Sequence, residues 1–156
     1  DTKNVIRMRT FSKAYGMAGL RVGYAIGEKD LILNFEKIRN HFGMSRISQV
    51  GALAALEDYN FIIDVINKVK LSRNRIADIA NNNNCKFIPS FTNFVAIDCL
   101  KDSKFAKKVL ENLINKGVFV RMPYSYPQNR CIRVTVGLDK DIDLFEKYFP
   151  IALKES

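Results

Sequence analysis

The chain has 156 residues, with 25 Lys+Arg against 16 Asp+Glu for a net charge of +9, and is 47% apolar and 26% charged. A chain of that length buries roughly 70% of its unfolded surface, its composition excludes a disordered tail, and its longest apolar run, Val50–Leu56, is far short of the ~20 residues of a membrane-spanning helix. The basic excess is dispersed, 9 basic against 6 acidic residues in 1–60 and 16 against 10 in 61–156, so no block of like charge marks a nucleic-acid arm.

The opening DTKNVIRMRT has no apolar core of a signal peptide and no initiator Met, so the expectation is a chain that starts neither on a leader nor at a natural beginning. Val5–Thr10 alternates as a short strand. After a loop holding Gly16 and Gly19, Leu20–Ile26 reads as a second strand, with Leu20, Val22, Tyr24 and Ile26 on one face and Arg21, Gly23 and Ala25 on the other. That strand reads as buried on both sides. Asp30–Asn40 follows as a helix, and a second helix opens at Ser45, a good N-cap residue. Asn60 is expected to cap the longest helix, which runs to about Asn81 on the stripe Phe61, Ile62, Val65, Ile66, Val69, Ile76 and Ile79. The asparagines Asn81–Asn84 end it, since Asn tolerates the left-handed C-terminal conformation.

Beyond them strands and helices alternate. Lys86–Ile88, Asn93–Asp98, Val118–Arg121 and Cys131–Val136 read as strands. Asp102–Asn115, closed by Gly117, and Asp141–Leu153, with a kink expected at Pro150, read as helices. A boundary near residue 60 divides the chain into 1–60 and 61–156. Cys85, Cys99 and Cys131 are odd in number and form no C-x-x-C pair, so they are expected to be reduced packing thiols of a cytosolic protein. His41, the one histidine, has no nucleophile or metal-ligand partner at useful spacing, which favours a capping or packing role at a helix end.

The chemistry concentrates in RTFSKAYGMAGLRVGYAIG, residues 9–27. Lys13 follows a strand, flanked by the hydroxyls of Thr10 and Ser12, and Arg21 stands beside the small residues Gly23 and Ala25. Hydroxyls, glycine backbone and a guanidinium that keeps its charge suit a phosphate. A solvent-facing lysine in a turn beside a structural arginine is equally compatible with the spacing. The glycines fit neither a Walker loop nor a dinucleotide fingerprint.

The segment S-K-A-Y-G-M-A-G-L-R-V-G-Y resembles the cofactor-lysine segment of class I/II aminotransferases, the fold type I enzymes that use pyridoxal 5′-phosphate. The resemblance implies an α/β fold: the end of a large cofactor-binding domain over 1–60 and an α+β small domain over 61–156. It implies that Lys13 carries the cofactor as a Schiff base and that Thr10, Ser12 and Arg21 hold its phosphate. T-N-F-V-A-I-D, K-G-V-F-V-R and C-I-R-V-T-V-G follow the segment order of histidinol-phosphate aminotransferases, which implies that Arg121 and Arg133 grip an anionic substrate group. Read alone, Arg133 is an ordinary solvent-facing strand arginine, and Arg130 reads as a rim charge.

A departure from many family members is Met122-Pro123-Tyr124 after the first arginine, where an Asp is common. The family's carboxylate for the pyridine nitrogen lies well upstream of its lysine. Asp1 is too near Lys13 to be that residue, so the chain resembles only a C-terminal portion.

The resemblance thus implies transfer of an amino group between histidinol phosphate and 2-oxoglutarate by a cytoplasmic homodimer. An aromatic aminotransferase or a threonine-phosphate decarboxylase of the same fold also fits these residues. A basic nucleic-acid-binding module is the reading of another class, and it lacks the interleaved aromatic and basic residues of an RNA platform.

Overall fold

The computed structural model describes residues 4–156, so Asp1 lies outside the described residues. The chain divides into two compact units, one to Ile66 and one from Asn67 to Ser156. No described helix is long and apolar enough to cross a membrane.

In the first unit β1 (Arg7–Thr10) pairs antiparallel with β2 (Gly23–Ile26), Thr10 opposite Gly23 and Arg7 opposite Ile26. The ladder is tight at its inner end, where a Cβ on Gly23 would stand 2.6 Å from the Arg9 carbonyl oxygen. β2 starts later than the sequence pattern predicts. Ala18–Leu20 form one turn of 3-10 helix, and Arg21 caps it in the left-handed conformation with φ 49°. Arg21 therefore shares no strand face with Gly23 and Ala25. Nor is β2 buried on both sides, since Tyr24 and Ile26 are exposed. A two-stranded ribbon offers them no flanking strand among the described residues.

α1 (Lys29–Glu36) ends earlier than its apolar pattern suggests, where Lys37 and Ile38 tighten onto Asn34 and Phe35. His41 lies exposed in the turn beyond it, and its side chain makes no hydrogen bond or ion pair among the described residues. α2 (Arg46–Glu57) opens as expected on Ser45, whose hydroxyl accepts the Ser48 amide at 3.1 Å. Its inward face is small, with Ser48 and Ala52 buried, and Ala55 packs beside Tyr15, Met17 and Leu20 around buried Phe11 and Val22. The larger Ile47, Val50, Leu53 and Leu56 stay exposed.

α3 (Tyr59–Asn82) carries the division between the units within it. Asp58, not Asn60, supplies the side-chain oxygen at its start, accepting the Phe61 amide at 3.0 Å. Only Ile76 and Ile79 of the expected stripe are buried, together with Ala77 and Ala80. The asparagine run ends the helix as expected: Asn84 takes φ 56° and the Cys85 amide returns to the Ala80 carbonyl at 3.0 Å.

The second unit is a three-stranded antiparallel sheet in the order β3 (Lys86–Ile88), β4 (Phe94–Asp98), β5 (Cys131–Thr135). Val95 and Ile97 of β4 face Val134 and Ile132 of β5 in register. These four residues pack with Val109 and Leu113 of α4 (Ser103–Asn115) and Phe145 and Phe149 of α5 (Asp139–Lys154). The two α5 rings stack with centroids 4.8 Å apart. Asp102 caps α4 by accepting the Phe105 amide at 2.9 Å, and Gly117 closes it at φ 80°. Val118 donates its amide to Leu113 at 2.9 Å. That bond ties it to the helix end, so the expected strand Val118–Arg121 shrinks to one bridge, Arg121 opposite Arg133. Arg75 of α3 reaches Asp143 and Glu146 of α5.

All three cysteines are free and buried. Extending the Lys86–Asp98 register by one step sets Cys85 across from Cys99. The thiol contact with Cys85, together with burial, pushes the Cys99 thiol up.

Candidate active site

Two groups of side chains stand out, one in each unit. In the first, the ribbon ladder ends with the Phe11 amide bonded to the Val22 carbonyl at 3.3 Å. Ser12 and Arg21 leave the ladder together from that point. The turn between them is closed by backbone bonds from Gly16 to Lys13 at 2.9 Å and from Met17 to Phe11 at 3.0 Å. Gly16 sits at φ 68°, a conformation that costs glycine little.

Phe11 anchors this turn from below. It is 1% exposed, and its ring lies 4.8 Å from Tyr15 and 5.6 Å from Tyr24. A second anchor is Ser48, which was not legible in the sequence. Its hydroxyl donates to the Leu20 carbonyl at 2.7 Å, tying α2 to the residue just before Arg21. Its only signal was a polar residue on the otherwise small stripe Gly51, Ala52 and Ala55.

The donors left over are the informative part. The Thr10 hydroxyl oxygen accepts the Ser12 amide at 3.0 Å, leaving its own proton to give. Arg21 donates one of its five N–H groups to the Ala18 carbonyl at 2.8 Å. The side chains of Ser12 and Lys13 make no hydrogen bond or ion pair among the described residues, and Lys13 is exposed. One amine, two hydroxyls and a guanidinium therefore remain open around one rigid turn.

In the second unit, Arg121 and Arg133 exchange both backbone hydrogen bonds, at 3.1 and 2.6 Å. Directly opposed residues of an antiparallel pair project to one face, and like charges so placed repel. Arg133 faces Ala96 across the sheet, and its guanidinium lies 4.9 Å from the Phe94 ring centroid. Its buried Nε has no hydrogen-bond partner. The Arg121 guanidinium lies 5.9 Å from Phe119. Both arginines line a cavity of about 860 Å³ that includes Tyr124 and Met122 and no carboxylate. The sequence places these two arginines twelve positions apart, and the fold makes them neighbours.

Arg130 stands apart from this pair. It forms an ion pair with buried Asp98 through Nε at 3.0 Å and Nη2 at 2.6 Å, so it is a structural partner and not a rim charge. Asp98 Oδ1 also accepts the Leu100 amide at 2.9 Å. A carboxylate at 6% exposure is compensated in this way. Sequence reasoning missed the partnership because Asp98 ends β4 while Arg130 lies 32 residues on, in the 3-10 turn before β5.

Comparison with known proteins places these groups in context. The family model for aminotransferase class I and II matches residues 1–144. A histidinol-phosphate aminotransferase from Bacillus velezensis is 42% identical over 134 residues, covering 86% of this chain and 36% of that protein. Another from Caldicellulosiruptor saccharolyticus is 37% identical over 155 residues, 99% of this chain and 41% of that protein. The crystal structure of histidinol-phosphate aminotransferase from Sinorhizobium meliloti in complex with pyridoxal-5′-phosphate superposes with a TM-score of 0.92 at 46% identity, covering 99% of this chain and 42% of that one. The chain thus spans well under half the length of these relatives, and its fold is that of the C-terminal part of a fold type I transferase. With a family model spanning the lysine turn and both arginines, the chain belongs to the class I and II aminotransferases.

Proposed function

We propose that this chain is the lysine-bearing C-terminal part of a pyridoxal-phosphate-dependent aminotransferase that moves an amino group between histidinol phosphate and 2-oxoglutarate. In this reading residues 1–60 complete the large cofactor-binding domain, residues 61–156 form the small domain, and the whole enzyme works as a cytoplasmic homodimer.

The open donors of the Lys13 turn fit the cofactor. A phosphate needs hydroxyl and cationic donors, and Thr10, Ser12 and Arg21 have theirs unused. An aldehyde needs an amine without a competing partner, and Lys13 Nζ has none among the described residues. Pyridoxal phosphate, when bound, supplies that aldehyde and an electron-accepting ring. Lys13 would hold the cofactor through its amine until the substrate amine displaces it. The freed Nζ would then take the proton from the substrate α-carbon and deliver it to the cofactor's C4′. The amine is tethered to a turn fixed by Phe11 and Ser48, which keeps its reach constant.

The observation that carries the substrate reading is the Arg121–Arg133 pair. Two guanidiniums on one face, one with a buried Nε lacking a partner and neither paired to a carboxylate among the described residues, suit a dianion held by several donors. Histidinol phosphate carries such a group, and 2-oxoglutarate offers a carboxylate to the same pair.

The test is amino transfer from histidinol phosphate to 2-oxoglutarate, followed as glutamate. The 156-residue chain should not turn over. The same chain completed at its amino end with the preceding part of the Sinorhizobium meliloti enzyme should, and changing Lys13→Ala in that protein should abolish transfer. Turnover of an aromatic amino acid in place of histidinol phosphate would reassign the substrate.

A further inference from the structure

The cavity that holds Arg121 and Arg133 is also lined by Lys104 and Lys107, in the first two turns of α4. These lysines are placed at an electrostatic cost. Cations disfavour the amino end of a helix, where the peptide dipoles leave partial positive charge. Two cations three residues apart on one helix also repel. The first turn of α4 itself contains no acidic residue, and the one carboxylate at this end, that of the N-cap Asp102, is engaged by the Phe105 amide.

Among the described residues no close ion pair neutralises them. Lys104 makes no hydrogen bond or ion pair among the described residues. Lys107 meets Glu111 at 3.8 Å, with both side chains more than half exposed, which is a loose contact through solvent. The cavity lining therefore presents four cations and no anion.

We propose that Lys104 and Lys107 are specificity-determining residues of this site, an outer cationic rim that favours doubly charged over singly charged ligands. The inference rests on the anion-binding reading of Arg121 and Arg133. The arginines supply directional hydrogen bonds, which a carboxylate and a phosphate can both accept. The lysines act mainly through charge, and the energy of that interaction scales with the charge of the ligand. The rim therefore adds to the discrimination between a dianion and a monoanion that the two arginine charges begin.

Titration of the whole 156-residue chain with inorganic phosphate, at a pH where it is doubly ionised, and separately with acetate tests this. Amide shifts of residues 103–107 and 119–133 report the cavity. The lysines are exposed, and glutamine is a comparable helix former, so Lys104→Gln/Lys107→Gln keeps the helix.

That variant should bind phosphate about fourfold and acetate about twofold more weakly, for charges near one Debye length from the ligand. The Lys104→Arg/Lys107→Arg variant should restore both affinities. Equal losses for the two anions, or no loss of phosphate affinity, would overturn the rim. If Arg133→Gln abolishes phosphate binding while the glutamine pair leaves it unchanged, the arginine site stands and the rim falls. If phosphate shifts no amide along the cavity of the unaltered chain, both readings fall.

Discussion

Replacing Ser48 by alanine isolates what holds the Lys13–Arg21 turn in place. The Ser48 side chain is almost fully buried, and its hydroxyl donates to the Leu20 carbonyl at 2.7 Å while meeting the Ser45 hydroxyl at 2.8 Å. Losing a buried donor to a carbonyl costs about 1–2 kcal/mol. Alanine returns about 0.5 kcal/mol as the better helix former. The α2 cap survives, because Ser45 accepts from the main-chain amide of residue 48. A net loss of about 1 kcal/mol is expected in urea unfolding of the first unit.

Hydrogen exchange adds the decisive local readout. The Arg21 amide, which reaches Ala18 at 3.5 Å, should exchange about fivefold faster in Ser48→Ala. Ser45→Ala should lose a similar stability through the cap while leaving that amide close to its original rate. Unchanged stability together with unchanged Arg21 exchange in Ser48→Ala would refute the staple.

Gly51→Ala should be tolerated within about 0.5 kcal/mol, since the new Cβ meets only the flexible ends of Leu20 and Met17 at 3.2 Å while helix propensity improves. Gly51→Leu should cost about 1–3 kcal/mol by overpacking the same contact, as read from denaturation midpoints. Phe145→Ala should destabilise the second unit by about 3–5 kcal/mol, because Phe145 is buried and stacks on Phe149. Contact with the Cys85 thiol and burial raise the Cys99 thiol above its ordinary value of 9.0, so the unfolded chain ionises first as pH rises. The stability this thiol contributes is complete below that value and falls above it. The same contact lowers the Cys85 thiol, so the double change Cys85→Ala/Cys99→Ala, which removes both partners, should flatten the decline in urea midpoint above about pH 9.

The local signals read well where one residue decides the backbone. Ser45, Asp102, Gly117 and the asparagines before Cys85 mark helix ends, because capping depends on the residue type at one position. The strand pattern over Leu20–Ile26 misled, because Leu20 and Arg21 are claimed by a 3-10 turn whose bonds to Met17 and Ala18 periodicity does not register. Val118 was drawn out of a predicted strand by its bond to the end of α4.

The lysine turn is one contiguous stretch, so a family resemblance can propose its role from the sequence alone. The cross-strand neighbours are not contiguous. That Arg121 lies opposite Arg133 follows from an isolated bridge to β5, and that Arg130 belongs to Asp98 follows from where the turn before β5 meets the end of β4, neither of which the linear pattern shows. The exposed apolar faces of β2 and α2 follow from which surfaces find partners within this length of chain, a matter of packing that alternation alone does not decide.

The central claim, that Lys13 is the cofactor lysine, is tested most directly by reductive trapping. The chain is incubated with pyridoxal phosphate at limiting concentration, reduced with borohydride, digested with trypsin and mapped by mass spectrometry. A modified lysine resists cleavage, so the account predicts a pyridoxyl group on a peptide running from Thr10 to Arg21. Labelling there should exceed that of every other lysine and should lose its preference in Arg21→Ala. Label concentrated on a different lysine, or spread evenly over the exposed lysines of the unaltered chain, would contradict the assignment.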